Sequence, residues 1–136
     1  MKEKKPIIIN SNELKKDLKY EPPLKIAYGI DKYTTGTETM TYGRTFIPPR
    51  GRNQRHYHTI DAGMFIRKGK LKMFLGPDDD IKEYIVTENY FFYCPAGVIH
   101  GLENMTDEQA ELLFTYGNCP SKDDAGTVKV EEPWDK

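Results

Sequence analysis

Cysteine is scarce in this sequence: Cys94 and Cys119 are the two among 136 residues. Two thiols make no disulfide framework, and without a C-x-x-C pair they exclude a cysteine-rich structural zinc module. No apolar run approaches the ~18 residues of a membrane span. Neither sign of charge dominates. Twenty Lys and Arg stand against 21 Asp and Glu, for a net charge of −1, so the sequence has neither a nucleic-acid footprint nor a polybasic membrane anchor. The start, MKEKKPIII, is basic but holds only three apolar residues in a row and no cleavage pattern, and is not read as a signal peptide. A reduced, cytoplasmic protein is the expectation. There is no internal repeat and no low-complexity segment. The length suits one domain over residues 1–136 with a core of its own.

What is present is strand-like. Residues 25–30, 38–47, 63–75, 82–86, 90–94 and 111–116 are rich in β-branched and aromatic side chains. Turn formers punctuate them, at Pro48-Pro49-Arg50-Gly51, Gly76-Pro77-Asp78 and Pro95-Ala96-Gly97. Strands of this spacing predict an all-β sandwich or barrel. The segment 70–85 reads as a hairpin with Pro77-Asp78-Asp79-Asp80 as a solvated tip; the aspartates lack the ligand spacing of a calcium loop. Ser11-Asn12-Glu13-Leu14 is expected to cap a short helix running to Leu18, ended by Pro22 and Pro23. Tyr90-Phe91-Phe92-Tyr93 is expected to be a core strand, and Cys94 a small buried hydrophobe with no histidine left over to activate it. The tail is expected to run as an arm, with Val128, Val130 and Trp134 as docking points.

Histidine is nearly as rare as cysteine, with three residues, and all three fall in two short motifs. His56 and His58 form H-x-H in GRNQRHYHTIDAGMFIRKGK, residues 51–70. His100 lies in PAGVIHGLEN, residues 95–104. Residues i and i+2 of a strand share a face, so His56 and His58 point one way, with Gln54 on the same parity. A turn at Pro95–Gly97 returns a distant strand carrying His100 beside them. Imidazole is the commonest metal ligand near neutral pH, and the trio makes a candidate metal site. Gln54, Arg44, Tyr42 and Tyr93 are candidates for orienting the ligands or touching substrate.

These motifs resemble those of the cupin superfamily of small β-barrels. The first cupin motif reads G, five residues, H-x-H, three or four residues, E, six residues, G. His56-Tyr57-His58 and Gly69 fit it; Gly51 stands one residue closer to His56 than the pattern asks, and Ala62 stands where the glutamate ligand belongs. The second reads G, five residues, P-x-G-x-x-H-x-x-x-N. Pro95, Gly97, His100 and Asn104 match, and Asn89 replaces the first glycine. Gly97 and Asn104 are expected to shape the turn. The resemblance covers about residues 40–117, extends to small single-domain cupins of the RmlC-like type, and implies an all-β jelly-roll (double-stranded β-helix) barrel. It divides the chain into a barrel core over about 38–117, an N-terminal extension over 1–24 and a C-terminal arm over 118–136. A homodimer paired through its sheets is also implied.

The resemblance further implies a divalent transition metal, iron, manganese, zinc or nickel, on His56, His58 and His100. The missing carboxylate leaves two ways of completing the shell. Asp61 serves if a bulge near residues 60–63 re-aims it, since a one-residue shift changes face. Otherwise water or substrate fills the open positions. The expected function is a metal-dependent enzyme on a small oxygen-rich molecule that chelates the ion, by dioxygenase or by isomerase or lyase chemistry. A non-catalytic small-molecule or metal-binding module is the alternative.

Overall fold

The computed structural model describes residues 5–20 and 22–130. These form ten strands: β1 (Lys25–Ile30), β2 (Met40–Ile47), β3 (His56–Tyr57), β4 (Ala62–Lys68), β5 (Lys70–Leu75), β6 (Lys82–Thr87), β7 (Phe91–Cys94), β8 (His100–Asn104), β9 (Ala110–Gly117) and β10 (Val128–Lys129). They make two antiparallel five-stranded sheets, ordered β1-β2-β9-β4-β7 and β10-β3-β8-β5-β6. The all-β jelly roll expected from the sequence is the fold observed. Among the described residues no helix is long and apolar enough to cross a membrane.

Alternation along the strands decides which side chains face between the sheets. On β9 these are Ala110, Leu112, Phe114 and Tyr116; on β8 they are His100, Leu102 and Asn104. One end of the interior is filled by Ile47, Ile66, Leu71 and Met73, all fully buried. The other end is hollow, and the histidines stand there.

The segment 63–75 is two strands rather than one. Gly69 turns the chain from the first sheet into the second with φ at +109°, and a Cβ there would come within 2.8 Å of the Ala110 Cβ. Asn89, which replaces the first glycine of the second motif, has φ at +75°. The position keeps the left-handed backbone that glycine favours, and asparagine is among the few other residues that adopt it readily.

The helix expected to run from Ser11 to Leu18 is a single 3-10 turn, Ser11–Glu13, capped by the Asn10 side chain. The chain is already extended at Leu14, and Asp17 exchanges both backbone hydrogen bonds with Ile26, at 2.7 and 3.1 Å. The extension therefore lies against β1, and pairing with a strand edge wins over a turn or two of helix that has no continuous apolar face to bury. The 70–85 hairpin forms as expected, with β5 paired to β6. The arm also docks: β10 pairs with β3, and the Val130 N–H donates to the Arg55 carbonyl at 3.0 Å. Trp134 lies outside the described residues.

The Tyr90–Tyr93 run is corrected. Only Phe92 of it packs against the core, while Phe91 is 84 % and Tyr93 64 % exposed. β7 ends its sheet and presents one aromatic face outward, where Phe91 stacks on Phe65 with ring centroids 5.0 Å apart.

Candidate metal centre

β3 and β8 bring His56 and His100 directly opposite one another in register. His58 follows at the end of β3, and the Gly97 N–H donates to its carbonyl at 2.8 Å, tying the Pro95–Gly97 turn to the histidine strand. One ligand atom from each of the three imidazoles lies within 4.8 Å of the other two. Asn104, expected to shape the Pro95–Gly97 turn, instead holds the one after β8: fully buried, its side-chain amide donates to the carbonyls of Ile47, Pro48 and Glu108 and so ties residues 104–108 to the end of β2.

Each ring is oriented through its Nδ1. That of His56 donates to the Gln54 carbonyl at 2.7 Å, and that of His100 to the Val98 carbonyl at 3.1 Å. A carbonyl only accepts, so in both rings Nδ1 carries the proton and Nε2 keeps its lone pair. His58 Nδ1 pairs with the Thr127 hydroxyl at 2.8 Å. Burial holds the pKa of all three imidazoles down to about 4, so each is neutral at pH 7, the form a metal ligand requires. His100 Nε2 is buried without a hydrogen-bond partner.

The other sequence candidates separate. Gln54 is buried and lines the cavity, and its main-chain carbonyl orients His56. Asp61 does not join the trio. It is exposed, its carboxylate accepts from the Ala96 N–H at 2.9 Å, and it lies beside Tyr93, raising that hydroxyl's pKa. The register of β4 with its neighbours is regular from Ala62 to Ile66, with its shift between Ile66 and Lys68, so no bulge re-aims Asp61. Tyr93 is on the outer face with it. Arg44 also faces away from the cavity: it donates to Glu111 at 2.8 Å and to Ser11, and stacks on Phe46. Its neighbour Gly43 takes the inward place, where a Cβ would lie 2.7 Å from the Phe114 ring. Tyr42 shares the outward face and is 41 % exposed.

Sequence reasoning missed Thr127, which reaches His58 from the arm, and it gave Cys94 no part in the site. The Cys94 sulfur lies 3.2 Å from His100 Nδ1, although burial pushes its thiol up to about 11 and keeps it an inert neighbour.

The histidines open into a cavity of about 280 Å³. Leu24, Ile26, Met64, Leu102, Leu112 and Phe114 form its apolar wall. Asp123, at the mouth, is its single carboxylate among the described residues.

A jelly-roll barrel with three convergent imidazoles at the hollow end of its interior is the class that fold and site define. The chain belongs to the cupin family: a family model described as a cupin domain matches residues 43–116. Solved structures share the fold. The polyketide cyclase RemF from Streptomyces resistomycificus superposes with a TM-score of 0.75 at 14 % identity, over 94 % of this chain and 87 % of its own. An oxalate decarboxylase from Lactobacillus farciminis, solved as a formate complex, gives 0.71 at 18 % identity, over 88 % of this chain and 34 % of its own. An oxalate oxidase gives 0.66 at 18 % identity, over 79 % and 55 %. This chain thus spans about a third of the decarboxylase and about half of the oxidase. No match is found among curated protein sequences.

Proposed function

We propose that this protein is a metal-dependent enzyme acting on a small oxygen-rich molecule, with a divalent transition ion held by His56, His58 and His100. The observation that carries this reading is the donor set itself. Three neutral imidazoles have their Nδ1 atoms engaged by Gln54, Thr127 and Val98, and the remaining Nε2 of His100 is buried with no partner. A buried polar atom left unsatisfied costs on the order of 1–3 kcal/mol, which coordination relieves. Iron, manganese, zinc and nickel all accept imidazole faces. When bound, such an ion supplies Lewis acidity to a chelating oxygen pair.

The chain's own residues define what fits. Three neutral ligands give an ion no charge compensation, so the site favours an anionic or readily ionised bidentate oxygen ligand, such as an enediol, a diketone or a hydroxy-keto acid. The apolar wall keeps water from the bound molecule and strengthens each polar contact made inside. Oxygenase and isomerase or lyase chemistry are the two reaction classes this arrangement serves. The structural neighbours named for oxalate chemistry are consistent with a small oxygen-rich substrate.

Metal analysis of protein purified without added metal is the direct test. A transition ion bound at near one per chain is expected, and His100→Ala is expected to lose it while keeping the β-rich circular dichroism of the parent. If no transition metal co-purifies and none binds at micromolar concentration, the reading fails. A binding-only module is favoured by one observation, the lack of a carboxylate base among the cavity residues apart from Asp123 at the mouth. Oxygen uptake or product formation from a chelating diketone by the metal-loaded protein would decide for the enzyme.

The reading includes a cytoplasmic location, supported by two free, buried cysteines, and a homodimer formed through the outward aromatic face of β7. Extension, barrel and arm work in it as one domain.

A further inference from the structure

Two segments that flank the family match build the side of the cavity that the motifs do not. Tyr20 comes from the extension and Tyr28 from β1; their hydroxyls are hydrogen-bonded to each other, and both residues line the cavity. Lys122, from the arm, lines it too. Its ammonium lies 5.7 Å from the Tyr20 ring centroid and 5.4 Å from that of Tyr28, and it forms an ion pair with Asp17. Between this group and the histidines the wall is aromatic. The ring centroids of His58 and Tyr116 are 5.0 Å apart, those of Tyr116 and Phe114 5.1 Å, and those of Phe114 and Tyr28 5.8 Å.

The cavity therefore has two polar poles and an apolar waist. The Tyr20 hydroxyl also has the Asp17 carboxylate as a hydrogen-bond partner, so the two phenol protons are engaged by Asp17 and by the bond the hydroxyls share. The acceptor capacity left on two phenol oxygens in a largely apolar chamber is costly to keep unless something uses it. Burial raises the pKa of both, with Asp17 adding to the effect, so both stay protonated at neutral pH. The adjacent ammonium favours electron-rich oxygen. A dicarboxylate the size of oxalate, seated on the histidines, would leave the waist and this second pole unfilled.

We propose that the Tyr20–Tyr28 hydroxyl pair, with the Lys122 ammonium beside it, is a second binding pole that takes an oxygen substituent at the far end of a flat, mostly apolar substrate whose other end meets the histidines. The histidine end rests on the function proposed above; the tyrosine end does not. The substrate class is then an aromatic or similarly flat molecule with oxygens at both ends.

The test is titration calorimetry on the full chain, metal-free and metal-loaded, with naphthalene-2,6-diol, 2-naphthol and naphthalene-2,3-diol as flat probes and oxalate as the small one. Naphthalene-2,6-diol carries an oxygen at each end, 2-naphthol at one, and the 2,3-diol a chelating pair at one end only. In metal-free protein, naphthalene-2,6-diol is expected to bind roughly fivefold to tenfold more tightly than 2-naphthol, the worth of one hydrogen bond. The double variant Tyr20→Phe/Tyr28→Phe, which keeps both rings, is expected to erase that difference. Metal loading is expected to tighten naphthalene-2,3-diol in parent and variant alike. Equal binding of the 2,6-diol by parent and double variant overturns the proposal. So does failure of every flat probe to bind in both states, or a weakening of oxalate by the double variant as large as that of the 2,6-diol. If metal fails to bind while the 2,6-diol still discriminates parent from variant, the histidine reading falls and the tyrosine pole stands.

Discussion

Ala62 occupies the inward-facing place on β4 where the family pattern has a glutamate, and it is 2 % exposed. The backbone there is regular, so the side chain alone separates this site from one with a carboxylate ligand. Ala62→Glu is expected to lower the thermal midpoint of metal-free protein, because a buried carboxylate without a partner is costly. Added metal is expected to restore it and to slow removal of the ion by a chelator roughly tenfold or more. A midpoint indifferent to metal in this variant would show that position 62 does not reach the trio. Much at this scale was readable in the sequence. His56, His58 and His100 converge as their spacing implied, and Asp61 sits one residue off parity, as a regular strand requires. Thr127 was not readable, because nothing local ties a threonine in the arm to an imidazole 69 positions earlier.

At the scale of the element, β3 is two residues long and meets β8 at the single pair His56 and His100. The three imidazoles at this junction, His56, His58 and His100, are nevertheless held at pKa values near 4 by burial, against an ordinary 6.5. The unfolded chain takes up protons below about 6.5 that the folded chain refuses until about 4, so folding stability is fully present above that window and is lost as pH falls through it. The urea midpoint of metal-free protein is expected to decline from pH 6.5 to 4, and His100→Ala to flatten part of the slope; a level profile would mean the rings are solvated. Strand periodicity was legible where polar residues marked the outer face, as on β9, while β8, which turns His100 and Asn104 inward, showed only as the strand that follows the Pro95–Gly97 turn. It failed on β7, where Tyr90-Phe91-Phe92-Tyr93 is aromatic at every position and alternation leaves no mark of which parity faces in. Tyr93 was misplaced for that reason, and Arg44 because a glycine, Gly43, holds the inward position beside it.

Across the whole molecule, the barrel was legible and the contribution of its two ends was not. Tyr20, Tyr28 and Lys122 meet only because the extension and the arm wrap the same side, a long-range arrangement that no local pattern encodes. The outward face of β7 makes a prediction at this scale. Phe91→Glu is expected to shift a dimer toward monomer in light scattering, with no change in secondary structure; a parent that is already monomeric at high concentration would remove the proposed pairing. The one-pair contact between β3 and β8 has a last consequence. Joining positions 56 and 100 through a shared ion would close a loop of roughly forty residues, and in chain-entropy terms such closure resembles a disulfide in restricting the unfolded ensemble, worth on the order of 2–4 kcal/mol. The thinnest seam of the second sheet would then be riveted by the same three side chains proposed to hold the ion, and loss of the ion would loosen β10 and the arm it anchors before the rest of the barrel.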